Sequence, residues 1–144
     1  MGAGDPMTDK NDKNAGSADE PGPVKWKTDP DKHDYPAAAN YLSLIASPAD
    51  AQNLADKLKQ AEIEYFKAKD ILRASRLHLL AMDNPHVRID LVKVATGVAL
   101  SPVLLVRGNI KAGLPAQIAD GYHRVCASYH VSENTDIPAR VIDL

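Results

Sequence analysis

The sequence predicts a small α+β domain, and three observations carry that reading. Stretches of helical period lie near residues 35–45, 47–61 and 85–95. Short β-branched or continuously apolar stretches lie at residues 63–66, 102–106, 117–119 and 137–142. Gly, Pro and Asn-Pro punctuation separates the two kinds. At 144 residues and 15.5 kDa the chain suits one domain.

Residues 1–33 are rich in Gly, Pro, Asp, Lys and Asn and nearly lack aliphatic side chains, so they are expected to form a disordered tail. They hold seven acidic and five basic residues, the whole formal imbalance of −2, and leave residues 34–144 neutral. Trp26 is the one large apolar group of the tail, and its flanking lysines suit an anchor docked on the domain edge. The domain is expected over 34–144, with a helical N-terminal extension at 34–61 and a core at 62–144.

The first helix is read from Tyr35 to Ile45, with Asp34 as its cap, Pro36 in the first turn, and Tyr41, Leu44 and Ile45 on one face. Ser47-Pro48-Ala49-Asp50 opens a second helix, whose stripe is Ala51, Leu54, Leu58 and Ala61. Ile63, Tyr65 and Phe66 mark a strand, and Lys69 to Ser75 a short helix. Asp83-Asn84-Pro85 starts a helix carrying Val87, Leu91 and Val94, which ends at Gly97. Pro102 to Val106 reads as a strand buried on both faces. Gly108 to Pro115 is a turn, Gln117 to Ala119 a returning strand, and Val125 to Tyr129 a short helix. Ile137 to Ile142 closes the pattern, with Pro138 favouring a sheet edge.

Composition excludes several function classes. With 17 basic and 19 acidic residues there is no cationic excess for phosphate-backbone binding, which argues against nucleic acid as a partner. The apolar stretch from Val98 to Val106 is about half a membrane span. A single cysteine, Cys126, excludes an internal disulfide framework and a Cys-rich zinc site, and it reads as a small core residue. His78, His86, His123 and His130 lack zinc-site spacing. No apolar h-region follows Met1, and a reducing, cytoplasmic setting is expected.

The stretch that carries chemistry is Ile118-Ala119-Asp120-Gly121-Tyr122-His123-Arg124-Val125-Cys126-Ala127. A strand ends, a glycine permits a sharp turn, and a helix begins. The first N–H groups of that helix lack intrahelical partners, and Gly121 lets the backbone approach a bound group. His123 and Arg124 add donors, and Asp120 could hold a divalent cation or orient His123. The plainer alternative makes Asp120 a helix cap, His123 a surface residue and Arg124 the partner of a nearby acid.

Three blocks together resemble the ParB/sulfiredoxin superfamily. They are Leu100 to Val106 with its Pro-led strand, Ile118 to Ala127 with its Gly-x-His-Arg turn, and Asp136-Ile137-Pro138-Ala139-Arg140-Val141. The resemblance spans about residues 62–143 and implies a small mixed sheet with flanking helices, with the helix pair at 35–61 as an addition. Within the superfamily, sulfiredoxins place a catalytic cysteine where this chain has Tyr122, which argues against sulfinic acid repair. Partition proteins carry a Gly-Glu-Arg-Arg motif and a helix-turn-helix domain, and this chain keeps only Gly121 and Arg124 and shows no such segment. Free serine kinases carry an Asp-Gly-His-His-Arg type motif, the nearest to Asp120-Gly121-Tyr122-His123-Arg124.

That resemblance implies ATP, ADP or CTP with Mg²⁺ as ligands. Asp120 would be the metal-binding residue, and Asp120 with His123 the catalytic pair. Gly121, Tyr122, His123 and Arg124 would form the phosphate cradle. Glu62, Glu64 and Asp70 are the upstream acids from which a base could come. The leading expectation is a domain binding a nucleotide or phosphorylated small molecule, with phosphoryl transfer or nucleotide hydrolysis as the reaction type. A non-catalytic interaction module with a protein partner is the alternative, and a ParB-like nuclease or DNA-binding factor is the third. Outside the motif, Asn84-Pro85-His86 is a helix start whose His86 could also face a ligand. Lys67, Lys69, Arg73 and Arg76 form a basic cluster on a short helix, read first as a solvated face.

Overall fold

A computed structural model describes residues 23–144. Residues 1–22 of the expected tail lie outside the described residues. The remainder of that stretch packs on the domain, which corrects the boundary at residue 33. Val24 is buried, and Trp26 forms a parallel bridge with Leu100 and packs against the core. Backbone bonds from Lys27 N–H to Leu100 O and from Leu100 N–H to Lys25 O, both 2.8 Å, hold it there.

The elements follow in the order α1 (Asp34–Leu42), α2 (Pro48–Gln60), β1 (Ile63–Lys67), α3 (Ala68–Ser75), α4 (Pro85–Ala95), β2 (Val103–Val106), β3 (Gln117–Asp120), α5 (Tyr122–Val131) and β4 (Asp136–Ile142). The fold class is α+β, with one four-stranded mixed sheet in the order β1-β4-β2-β3. β4 is antiparallel to β1 and parallel to β2, and β3 is antiparallel to β2.

Local chemistry explains the helix starts. Ser47 Oγ accepts the Asp50 N–H at 3.1 Å, with Pro48 in the first turn. Asn84 Oδ1 accepts the N–H groups of His86 and Val87 at 3.0 and 3.2 Å. α1 differs from expectation at both ends. Its N-cap is His33, without a side-chain cap bond, and Asp34 lies inside the helix with its side chain buried. The helix stops at Leu42 and continues only as a tightened turn, with Leu44 N–H to Tyr41 O at 3.1 Å and Ile45 N–H to Leu42 O at 3.0 Å. That rotation turns Leu44 and Ile45 outward, so the buried face of α1 is Ala38 and Leu42 instead.

Two apolar layers sandwich the sheet. Leu104, Val106, Ala119 and Ile142 meet Ala38 and Leu42 of α1 and Ala51 and Leu58 of α2. Val103, Leu105, Ile118, Ile137 and Ala139 meet α3, α4 and α5 through Ile71, Leu72, Val87, Val125 and Cys126. The helix pair at 34–61 thus covers one face of β2, β3 and β4 and leaves Tyr65 of β1 exposed. β2 is buried on both faces, as its continuous apolar run predicts. Truncating Leu104, which has no exposure, to Ala costs about 2–5 kcal/mol.

β4 is not an edge strand. It lies between β1 and β2, despite Pro138. Pairing with β2 begins at Val103 opposite Ala139, one residue after the proline, so the missing N–H falls outside that ladder.

Candidate functional site

The ends of β3, α4 and α5 meet at a cleft of about 170 Å³ lined by His86, Ile89, Asp90, Asp120, Gly121, His123 and Arg124. The β3–α5 turn shapes it. Gly121 has φ +112°, and a Cβ there would stand 2.5 Å from Val103 Cγ1. Only glycine fits both the conformation and the contact. Gly121 is also the N-cap of α5 and offers no capping side chain. The first helical bond runs from Val125 N–H to Gly121 O at 3.0 Å, so the N–H groups of Tyr122, His123 and Arg124 have no intrahelical acceptor.

Arg124 takes the plainer role anticipated for it. Its Nη2 pairs with Asp120 Oδ2 at 3.1 Å and Asp34 Oδ2 at 3.5 Å, and donates to Pro102 O at 3.3 Å. Ser101 Oγ donates to Asp34 Oδ2 at 2.5 Å and accepts the Asp31 N–H at 3.0 Å. One guanidinium therefore ties the turn to α1 through two carboxylates. The helix pair reaches the site by this route, which the reading of 34–61 as an extension did not foresee.

Asp120, Gly121, His123 and Arg124 all line the cleft, and Tyr122 does not. The Tyr122 hydroxyl donates to His78 O at 2.5 Å, away from the cleft, and its ring packs on the core. His86 and Asp90 join the site from α4. The His86 and His123 rings stand 4.7 Å apart between centroids. Glu62, Glu64 and Asp70 do not line the cleft.

Asp90 is the group the sequence reading missed. It is 9% exposed, and among the described residues it makes no hydrogen bond and no ion pair. Its oxygens reach the open cleft, and the buried polar atoms without a partner among the described residues are instead Arg124 Nε, at this site, and Arg140 Nε. Its signal was present: Asp90 falls three residues after Val87 and four before Val94, on the buried stripe of α4.

Electrostatics separate the titrating groups. Burial pushes the Asp90 carboxyl up, against the attraction of Arg124, Lys93, His123 and His86. Burial also raises Asp120, and Asp34 adds to that rise while Arg124 opposes it. Burial lowers His123, and the neighbouring His86 and Arg124 lower it further, against Asp90. His123 is thus biased towards the neutral imidazole, able to accept a proton near neutrality.

The expected metal role of Asp120 meets a competitor, because its Oδ2 already holds Arg124. Asp120 also meets the Asp34 carboxyl, whereas the Asp90 carboxylate makes no hydrogen bond or ion pair among the described residues, and hard oxygen donors of that kind suit Mg²⁺. A separate group of possible ligands, Asp31, His33 and Asp34, has its ligand atoms within 4.8 Å of one another. Asp31 is there already paired with Lys27 at 2.8 Å. Among the described residues, no helix is long and apolar enough to cross a membrane. The chain matches no known protein-family model, no curated protein and no solved structure.

Proposed function

We propose that the chain binds a phosphorylated small molecule, a nucleotide by resemblance to the ParB/sulfiredoxin superfamily, at the β3–α5 turn. The observation that carries this reading is the pairing of opposites in one cleft. The uncapped N-terminus of α5 attracts an anion, and the Asp90 carboxylate beside it, without a hydrogen bond or ion pair among the described residues, offers oxygens to a cation. A phosphate with a bound divalent cation answers both needs. At about 170 Å³ the cleft suits a phosphoryl group, and a nucleoside would extend outward past the exposed Ile89.

In this reading the backbone N–H groups of Tyr122, His123 and Arg124 hold the phosphoryl oxygens. Asp90, with Asp120, would hold Mg²⁺, which when bound would neutralise phosphate charge. His123, biased to the neutral form, takes the proton of an attacking hydroxyl on an imidazole nitrogen. His86 at 4.7 Å orients that ring and keeps it neutral. Arg124 positions the turn through its bonds to Asp34, Asp120 and Pro102, and phosphoryl transfer then proceeds by placement and charge stabilisation. Binding without turnover, as an interaction module, is the second reading, and the engagement of Arg124 by two carboxylates favours it.

Amide NMR of the ¹⁵N-labelled protein with ATP, ADP and CTP, each with and without Mg²⁺, tests the proposal. Mg²⁺-dependent shifts centred on Gly121 to Arg124 and on Asp90 are expected. Phosphate release or transfer that Asp90→Asn and His123→Gln both abolish, with binding kept in the latter, marks an enzyme; binding alone marks the module. No shift at millimolar nucleotide overturns the phosphate reading.

A further inference from the structure

At the other end of the sheet, where β2 leaves and β3 enters, lies a second cleft of about 540 Å³. We propose that it binds a small amphipathic anion, a carboxylate on an aliphatic or aromatic body, independently of the β3–α5 turn. Its volume falls in the range of about 300–1,000 Å³ usual for small-molecule sites.

The floor is apolar and comes from the core itself. Phe66, Ile71, Leu105, Ile118 and Val141 line it. Ile71, Leu105 and Ile118 keep 5–7% exposure, whereas Val103 and Ile137 on the same sheet face keep none. The turn between β2 and β3 adds an apolar lip. Its bridge from Asn109 to Leu114 presents Ile110, 96% exposed, and Leu114, 49% exposed, at the mouth. An isoleucine left almost wholly in water beside an open apolar floor is a surface in want of an apolar occupant.

The rim sets the charge of that occupant. Arg73, Arg76 and Arg107 line the cleft against one acid, Asp70. Arg107 is held by Asp143 at 2.8 Å and Glu64 at 3.8 Å, and Arg73 meets Asp70 at 3.4 Å. Arg76 makes no ion pair or side-chain hydrogen bond among the described residues. It also holds a left-handed backbone, φ +59°, at the C-cap of α3, a conformation uncommon for a side chain of its size. Glycine would serve that position better as a helix stop, so an arginine there has a use beyond the backbone. Lys69 lies with Arg73 on the adjoining surface and extends the cationic edge. Apolar floor, apolar lip and one guanidinium unpaired among the described residues together select a single anionic head on a compact apolar body. The basic cluster on α3 is in this way the rim of a site rather than only a solvated face.

Octanoate below its micellar range, octylammonium and octanol, each titrated into the ¹⁵N-labelled chain, test the proposal. Octanoate is expected to shift amides of Ile71, Arg76, Leu105 and Ile118 and to leave Gly121 to Arg124 unmoved. Arg76→Gly keeps the backbone content, removes the charge, and is expected to weaken octanoate at least tenfold without lowering the unfolding midpoint. Ala74→Phe fills the cleft from the exposed side of α3 and is expected to abolish the shifts. Absence of shifts with octanoate at millimolar concentration overturns the site. Equal binding of octylammonium or octanol, or unchanged affinity in Arg76→Gly, overturns its selection of an anion.

Discussion

Replacing Asp90 is expected to stabilise the fold while removing cation-dependent ligand binding. The residue is 9% exposed, and its carboxylate faces the cleft with no hydrogen-bond or ion-pair partner among the described residues. Burial disfavours the ionised form against the attraction of Arg124, Lys93, His123 and His86, so the charge is a net cost to the fold, held down by the carboxylate's access to the cleft. Asp90→Asn removes the charge at nearly constant volume, and Asp90→Leu removes the polarity as well. A gain of up to about 1 kcal/mol is expected at pH 7, the low end of the cost of a buried polar group because the oxygens reach the cleft, and a rise of roughly 4 °C in the unfolding midpoint. The pH dependence follows from the direction of the shift. Burial raises the folded-state pKa above the ordinary 3.8, so the folded state holds the proton more tightly than the unfolded one. Below the unfolded value both states are protonated and the cost vanishes. It grows as pH rises to the folded value and is constant above. Urea unfolding of the wild type and both variants at pH 7 and near pH 3.5 reads this directly. The gain should be full at pH 7 and largely absent for Asn at the lower pH. A variant less stable than wild type at pH 7 would refute the reasoning, because it would mean that the fold uses the charge, and Asp90 would then be a structural residue.

The other predictions test the frame around that group. Gly121→Ala combines a disfavoured backbone with a Cβ 2.5 Å from Val103 Cγ1 and should cost about 2–5 kcal/mol, read by thermal unfolding. Arg124→Ala strands Asp34 and Asp120 together and should cost about 3–5 kcal/mol, whereas Ser101→Ala removes one donor from Asp34 and should cost about 1–3 kcal/mol. The His123 imidazole should titrate below the ordinary 6.5 by ¹³C-resolved NMR, and His86→Gln should move it up. Its depressed folded value means that this histidine destabilises the fold as pH falls through the unfolded value and then the folded one, a loss that His123→Gln should remove.

What was legible in the sequence divides along the range of the forces involved. Ser47 and Asn84 announce helix starts because their side chains bond backbone two or three residues away, a relation the sequence contains in full. The run from Val103 to Val106 announces a doubly buried strand because no exposed position interrupts it. The Asp120 to Arg124 turn was found because strand, glycine and helix are contiguous. Asp34 was misread for the opposite reason. Capping is the local use of an aspartate before Tyr35-Pro36, but its partners Ser101 and Arg124 lie 67 and 90 residues away. Once they are present, the carboxylate is worth more as a buried anchor than as a cap. Leu44 and Ile45 failed similarly, since helical spacing predicts a face only while the helix lasts, and α1 stops at Leu42. Pro138 was assigned to an edge because proline cannot donate, yet the ladder that would need the donor begins one residue later. Asp90 is the instructive omission. A carboxylate on the apolar stripe of a helix contradicts the pattern around it, and the contradiction resolves only in three dimensions, where that stripe opens onto a cleft and Arg124 and His123 of another helix draw the charge against its burial.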